Sequence, residues 1–407
     1  MSEKCHLLDL RAGFGAKIAR ATLGRLLFPA YRLGFKNRRA SFLRRRSAVS
    51  GLPVVSVGNL ALGGGGKTPL TLALCEALMR QGWRGGVVLK LGRPAESYFD
   101  ELVLYLNALA IRGSGEPLRT ERRRESILAH NESGFVFAHR NKLAALENIA
   151  SSGRFQFALV DDGFQLYSLK PVLNVCVVRP TDWRECLFPL GELREETAAL
   201  QRADIVLLRD AGTTGTEAAV LPLPARGYPR LGVRPLGLLP ARELARPWMR
   251  EGEPEQPANA AEAALPSGTA LAFSAIAHPE EFEQSVFAIH ADTSVCVRFP
   301  DHQQLTTSHL RMLQQQGKSH GCRFYLTTEK DACRLLPHML RALHARGHSL
   351  NWPEELLPQV RHFTPDLTVE LEEMWQQLYF LKLATEVPEE VIQKVVKTVD
   401  AFLRQDK

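Results

Sequence analysis

The sequence predicts a doubly wound, mainly parallel α/β sheet followed by a second, smaller αβ lobe. Three observations carry that fold class. A β-branched run, Val54-Val55-Ser56-Val57, leads into Gly63-Gly64-Gly65-Gly66-Lys67-Thr68 and then a helix-like stretch over 70–79, the strand, glycine loop and helix of a P-loop NTPase-like core. Short apolar runs at 86–90, 135–137, 157–160, 175–178 and 205–208 alternate with helix-like stretches, as crossover-linked parallel strands do. After a Pro- and Ala-rich interval the alternation resumes at Ala270.

With 407 residues, 45% hydrophobic and 23% charged, the chain is long enough for two globular domains. Its seven cysteines include no C-x-x-C pair, which fits reduced thiols of a cytosolic compartment and argues against a disulfide framework or zinc site. No apolar run reaches the roughly 18 residues of a spanning helix, and the start of the chain lacks a signal-peptide pattern. The net charge of +7 is unevenly placed: residues 1–46 hold twelve Lys and Arg against Glu3 and Asp9.

Taken in order, residues 1–48 form a basic amphipathic helical arm, with Phe14, Ile18, Leu26 and Leu27 at near-helical spacing among arginines, then Phe28, Tyr31 and Phe35. Such a segment suits an anionic membrane surface. Docking on the core and a nucleic-acid arm compete with it, but no nucleic-acid module accompanies the charge, so no nucleic-acid partner is expected. Residues 49–210 form the core. Its glycines, Gly63, Gly64, Gly65 and Gly66, let backbone N–H groups face an anion at a helix N-terminus. Lys67 reaches the β- and γ-phosphates, and the Thr68 hydroxyl ligates Mg²⁺. Ala61 stands where the strict motif has glycine.

A strand over 86–90 and a helix over 100–110 follow, then a polar surface excursion at 112–133, a strand at 135–137 and a helix over 142–149. The apolar run Phe157-Ala158-Leu159-Val160 ends in Asp161-Asp162-Gly163, which is how a P-loop enzyme brings a carboxylate to Mg²⁺; an Asp-Gly strand ender is the simpler alternative. Residues 211–268 read as a linker with short extended pieces. The second lobe, 269–365, includes a strand at 294–299, Asp301-His302, a strand at 324–327 and a helix over 330–345. Residues 366–407 are expected to close the chain as two helices, over 369–383 and 387–404.

These strings together resemble the tetraacyldisaccharide 4′-kinases of lipid A synthesis. The similarity rests on Val57-Gly58-Asn59-Leu60 with the glycine loop and Thr68-Pro69, on Asp100-Glu101, Arg140, Asp161-Asp162-Gly163-Phe164-Gln165 and Leu193-Arg194-Glu195. It continues through Arg202-Ala203-Asp204, Phe299-Pro300-Asp301-His302 and Thr327-Thr328-Glu329-Lys330-Asp331-Ala332. The resemblance implies transfer of the ATP γ-phosphate to the 4′-hydroxyl of a tetraacylated glucosamine disaccharide 1-phosphate, with Mg²⁺, by a monomer at the cytoplasmic face of the inner membrane. It implies that Asp100 takes the hydroxyl proton with His302 as dyad partner. It also implies that Lys67, Arg140 and Gln165 serve the nucleotide, and that Thr68, Asp161, Asp162, Glu101 and Glu195 serve the metal. A nucleotide-binding P-loop relative with an altered acceptor or lost kinase activity, acting as a switch or assembly factor, is the alternative.

The sequence departs from the family pattern at Lys90-Leu91-Gly92-Arg93, Leu102, His139, Leu166, Lys170-Pro171 and Glu196. The principal phosphate, metal and dyad residues are retained, and the changes touch the substrate-facing and loop chemistry.

Overall fold

Apolar runs become strands and amphipathic stretches become helices in the computed structural model, which describes residues 6–9, 39–63, 65–92, 99–110, 119–123, 125–188, 190–209, 227–248, 267–290, 292–345 and 373–405. In chain order these are β1 (His6–Asp9), β2 (Val54–Asn59), α1 (Lys67–Met79), β3 (Gly85–Lys90), α2 (Phe99–Tyr105), β4 (Arg119–Arg123), β5 (Ser126–His130), β6 (Gly134–His139), α3 (Lys142–Ser152), β7 (Phe157–Val160), β8 (Leu173–Val178) and β9 (Ile205–Arg209). Then come β10 (Arg230–Pro240), β11 (Ala270–Ser274), α4 (Pro279–Ile289), β12 (Thr293–Arg298), α5 (Thr307–Ser319), β13 (Phe324–Thr328), α6 (Glu329–Ala345), β14 (Leu378–Glu386) and α7 (Glu389–Gln405).

The chain divides into two units, and their boundaries interleave in sequence. One comprises 12–91, 123–234 and 384–407; the other comprises 1–11, 92–122 and 235–383. Residues 92–122, expected inside a continuous 49–210 core, thus belong with the second lobe.

In the first unit the strands lie in the order β9-β8-β2-β7-β3-β6-β5. All pairs are parallel except β5 with β6. Strand β2 is buried along its whole length, because both sheet faces are covered, and its sequence is accordingly apolar without alternation. From β2 the chain moves to β3, β6 and β7 on one side and only later to β8 and β9 on the other. The carboxyl end of β2 is therefore a topological switch point, where ligands of such sheets bind. Helix α1 buries Leu70, Leu74 and Leu78, one turn apart. Helix α3 starts at the Asn141 cap, whose Oδ1 accepts from the Leu143 and Ala144 N–H groups at 3.0 and 3.4 Å, and stops at Gly153 with φ 61°.

Gly58 in β2 has a packing requirement: a Cβ there would lie 2.5 Å from the Phe164 Cβ and 2.7 Å from its backbone N. Backbone cannot yield as a flexible side chain can. Gly58→Ala is expected to destabilise the fold by about 1–3 kcal/mol, seen as a lower urea midpoint at unchanged slope. An unchanged midpoint would contradict this packing.

In the second unit the order is β1-β12-β11-β13-β14, all parallel. Four sequence expectations change. Residues 6–9, taken as the start of a helical arm, pair as a strand with Val295–Arg298, and Arg298 lies 3.8 Å from Asp9. Residues 39–44 are helical, and 10–38, the bulk of the expected arm, lie outside the described residues. Of the expected helix over 369–383, residues 373–376 are helical, 369–372 lie outside the described residues, and β14 begins at Leu378; Leu378, Tyr379, Phe380 and Leu381 pair with Tyr325–Thr328. Pairing and burial of this aromatic, apolar run override the helical pattern of its acidic first half. The polar excursion at 112–133 contains β4 and β5, and the linker at 211–268 contains the 11-residue strand β10.

Candidate active site

Residues at the carboxyl end of β2 build the phosphate loop. Gly63 and Gly66 have φ of 85° and 78°, a region that L side chains avoid, and a Cβ on Gly65 would meet the Asn59 amide at 2.5 Å. The backbone is thus free to face an anion, and α1 begins directly after Gly66 with no acid in its first turn. Its N-terminal N–H groups and partial positive charge favour phosphate.

Lys67 is held in place. Its Nζ donates to Asn59 Oδ1 at 3.0 Å and lies 3.1 Å from Asp162 Oδ1. Next to it, the Thr68 hydroxyl donates to Asp161 Oδ2 at 3.1 Å, so the end of β7 meets the start of α1. A buried lysine, Lys142, locks the strand end by donating to the Asp161 and Asp162 carbonyls at 2.5 and 3.0 Å. Among the described residues no group of three or more His, Cys, Asp or Glu side chains forms a metal cage. A hydroxyl with one carboxylate suits Mg²⁺, which takes most of its remaining ligands from water and substrate phosphates.

The two adjacent aspartates have different surroundings. Asp162, at φ 52°, accepts from Arg194 at 2.7 and 2.8 Å as well as facing Lys67. Burial works to raise its pKa, but Lys67, Lys142 and Arg194 outweigh it and hold the carboxyl well below the usual range. A depressed carboxylate contributes stability that is present above its unfolded pKa, about 3.9, and lost as pH falls through the folded value. Because 37% of the side chain is exposed, solvent screening keeps this contribution modest. Asp162→Asn is expected to reduce the drop in thermal midpoint between about pH 6 and about pH 3; superimposable acid profiles would contradict the assignment.

Gln165 and Glu195 meet behind this brace. Gln165 donates to the Asn59 carbonyl at 2.9 Å and to Glu195 Oε1 at 3.2 Å, and its own oxygen accepts from Arg194 at 3.2 Å. Glu195 is buried with both oxygens on Arg202, at 2.9 and 2.8 Å, and Arg39 lies 3.3 Å away. Arg140 follows β6, on the same sheet edge as the loop; its guanidinium lies 3.6 Å from Glu125, and its carbonyl accepts from Lys90 at 2.6 Å.

The second unit holds the other candidates. Asp100 and Glu101 lie in the first turn of α2, and Glu101 Oε1 is 3.3 Å from Lys330 Nζ. His302 follows β12 in a left-handed turn at φ 58°. Its N–H donates to the Ala275 carbonyl at 3.2 Å, and its Nε2 is 4.0 Å from Asp301 Oδ1. The divergent positions have structural uses: Leu102 is buried, Leu166 packs on the core around Val160 and Leu169, and His139 Nδ1 accepts from the Asn141 N–H at 2.8 Å.

Sequence reasoning gave no role to Asn59, Lys142, Arg194 or Arg202. Asn59, Arg194 and Arg202 stand within the family-like motifs, so a signal existed; Lys142 had none, since a lysine opening a helix ordinarily faces solvent.

A family profile described as tetraacyldisaccharide-1-P 4′-kinase matches residues 22–362. A tetraacyldisaccharide 4′-kinase of Anaeromyxobacter dehalogenans is 31% identical over 314 residues, 76% of this chain and 80% of its own length. That of Parvibaculum lavamentivorans is 31% identical over 334 residues, 81% of this chain and 84% of its own. Among solved structures, the "apo" form of LpxK from Aquifex aeolicus, in complex with ATP, superposes with a TM-score of 0.52 at 17% identity. That match covers 93% of this chain and 99% of the other, a likeness of fold.

Proposed function

The chain belongs to the tetraacyldisaccharide-1-P 4′-kinase family, and on that footing we infer that it transfers the γ-phosphate of ATP to the 4′-hydroxyl of a tetraacylated glucosamine disaccharide 1-phosphate in lipid A synthesis. The observation that carries the reading within the structure is the meeting of Lys67 and Thr68 with Asp162 and Asp161. Family membership favours transfer over a switch that only binds nucleotide.

Phosphoryl transfer passes through a loose transition state, so the enzyme's work is positioning and charge neutralisation. The loop N–H groups and Lys67 hold the phosphates. Thr68 and Asp161 would hold Mg²⁺, which when bound neutralises charge on the β- and γ-phosphate oxygens. Asp162, paired with Arg194, fixes the lysine ammonium. Gln165 and Glu195 are assigned here as supports of the loop, because Arg202 occupies the Glu195 carboxylate. Arg140 is assigned to the nucleotide. Asp100, oriented by His302, accepts the proton of the 4′-hydroxyl as its oxygen bonds to the γ-phosphorus; the bond to the β–γ bridging oxygen breaks and ADP leaves.

The basic arm would keep the enzyme, as a monomer, on the cytoplasmic face of the inner membrane where a tetraacyl lipid resides. Among the described residues no helix is long and apolar enough to cross a membrane. Replacing Arg20, Arg25 and Arg32 by Glu, which spares strand β1, is expected to abolish flotation with anionic liposomes and to raise the KM for lipid while leaving that for ATP unchanged. Undiminished flotation would contradict adsorption through the arm. Purified protein with ATP, Mg²⁺ and tetraacyldisaccharide 1-phosphate should yield the 4′-phosphorylated lipid.

A further inference from the structure

The string Thr327-Thr328-Glu329-Lys330-Asp331-Ala332 has no part in the mechanism above, yet it opens α6 with an unusually connected carboxylate. Asp331 is fully buried. Its Oδ2 accepts from the Thr328 hydroxyl at 2.7 Å and from the Ala275 N–H at 3.0 Å; its Oδ1 accepts from Arg334 at 2.6 Å. Thr328 Oγ1 in turn accepts from the Asp331 N–H at 3.0 Å, which is ordinary helix capping. Capping does not explain the bonds that reach away from the helix.

Those bonds lead to His302. The Ala275 residue gripped by Asp331 accepts the His302 N–H through its carbonyl. Arg334, which Asp331 orients, donates to the Gln303 carbonyl at 3.3 Å. The N–H of His302, through Ala275, and the carbonyl of the next residue, Gln303, are therefore tied to one buried ion pair. A histidine at φ 58° persists only where its surroundings over-determine it. One residue earlier, Lys330 lies 3.3 Å from Glu101, the neighbour of Asp100 in α2, and α2 packs on α6.

We propose that the first two turns of α6 are the positioning element of the Asp100–His302 pair: Lys330 fixes α2 through Glu101, while Asp331 and Arg334 fix the left-handed turn at His302. The proposal rests on the dyad reading above and gives Glu101 a positioning role rather than a metal-binding one. Misplacement of reacting groups by about 1 Å can cost on the order of a hundredfold in rate, so these residues act on turnover without touching substrate.

The test uses the full-length enzyme in the lipid phosphorylation assay, with Lys330→Met, Lys330→Arg, Asp331→Asn, Asp100→Ala and His302→Ala. Lys330→Met is expected to lower kcat about tenfold and Asp331→Asn about a hundredfold, with the KM for ATP within about twofold of wild type. Lys330→Arg should recover most of the turnover, and the acid limb of the kcat–pH profile should shift in Asp331→Asn. Wild-type turnover in Lys330→Met and Asp331→Asn, beside inactive Asp100→Ala, would overturn the positioning role and leave the dyad standing. Wild-type turnover in Asp100→Ala and His302→Ala would overturn the dyad and this proposal with it. Loss of ATP affinity in parallel with kcat would indicate general damage and also overturn it. If Asp331→Asn fails to fold, the partly exposed Lys330 decides alone.

Discussion

Lys67→Ala should lower kcat by about 10²–10³-fold, the loss typical of removing a preorganised charge from a transition state. The ammonium is fixed before substrate arrives, at 3.0 Å from Asn59 and 3.1 Å from Asp162, so little reorganisation accompanies the reaction. Removing it leaves Arg194 and Lys142 around Asp162, and the loop should keep its shape. The defect is therefore expected in turnover and ATP affinity together, with a thermal midpoint near that of wild type. Steady-state rates at saturating lipid measure this. A variant with undiminished kcat would remove Lys67 from the phosphate-handling groups.

Asp100→Ala should cost about 10²–10⁴-fold in kcat, the range for loss of a positioned general base. Its distinguishing feature is selectivity: the phosphate loop, Lys67, Thr68 and Asp161 belong to the other unit, so ATP should bind with unchanged affinity while transfer fails. His302→Ala should show a smaller loss and a displaced acid limb in its pH profile, because an orienting partner tunes a base without replacing it. A tenfold rise in the ATP dissociation constant of Asp100→Ala would point to nucleotide binding instead.

The parts of this site that could be read from the sequence are those fixed by local chemistry. A strand, a glycine loop and Lys67-Thr68 form one continuous stretch, and the loop needs glycine because the backbone at Gly63 and Gly66 is left-handed and Asn59 crowds Gly65. The Asp161-Asp162 pair was legible as two acids at the end of an apolar strand, downstream of a phosphate loop. The distinct role of Asp162 was not, since it depends on Lys142 and Arg194 arriving from elsewhere in the fold. The family resemblance implies a metal role for Glu195, and the pairing of its carboxylate with Arg202 depends on the fold. The same limit explains the strands: Leu378 to Leu381 and His6 to Asp9 pair with partners distant in sequence, and short segments of that kind carry no decisive period of their own. The sequence indicates a helix over 330–345, but the reach of α6 to Ala275, Gln303 and Glu101 comes from tertiary packing.

The central claim is phosphoryl transfer to a lipid sugar, and the direct measurement is of product. Incubation of the purified chain with γ-radiolabelled ATP, Mg²⁺ and tetraacyldisaccharide 1-phosphate in mixed micelles should move label to the lipid 4′ position in proportion to enzyme. That transfer should fall to background in Asp100→Ala. ATP binding with no label on the lipid, in wild type as in Asp100→Ala, would contradict the account.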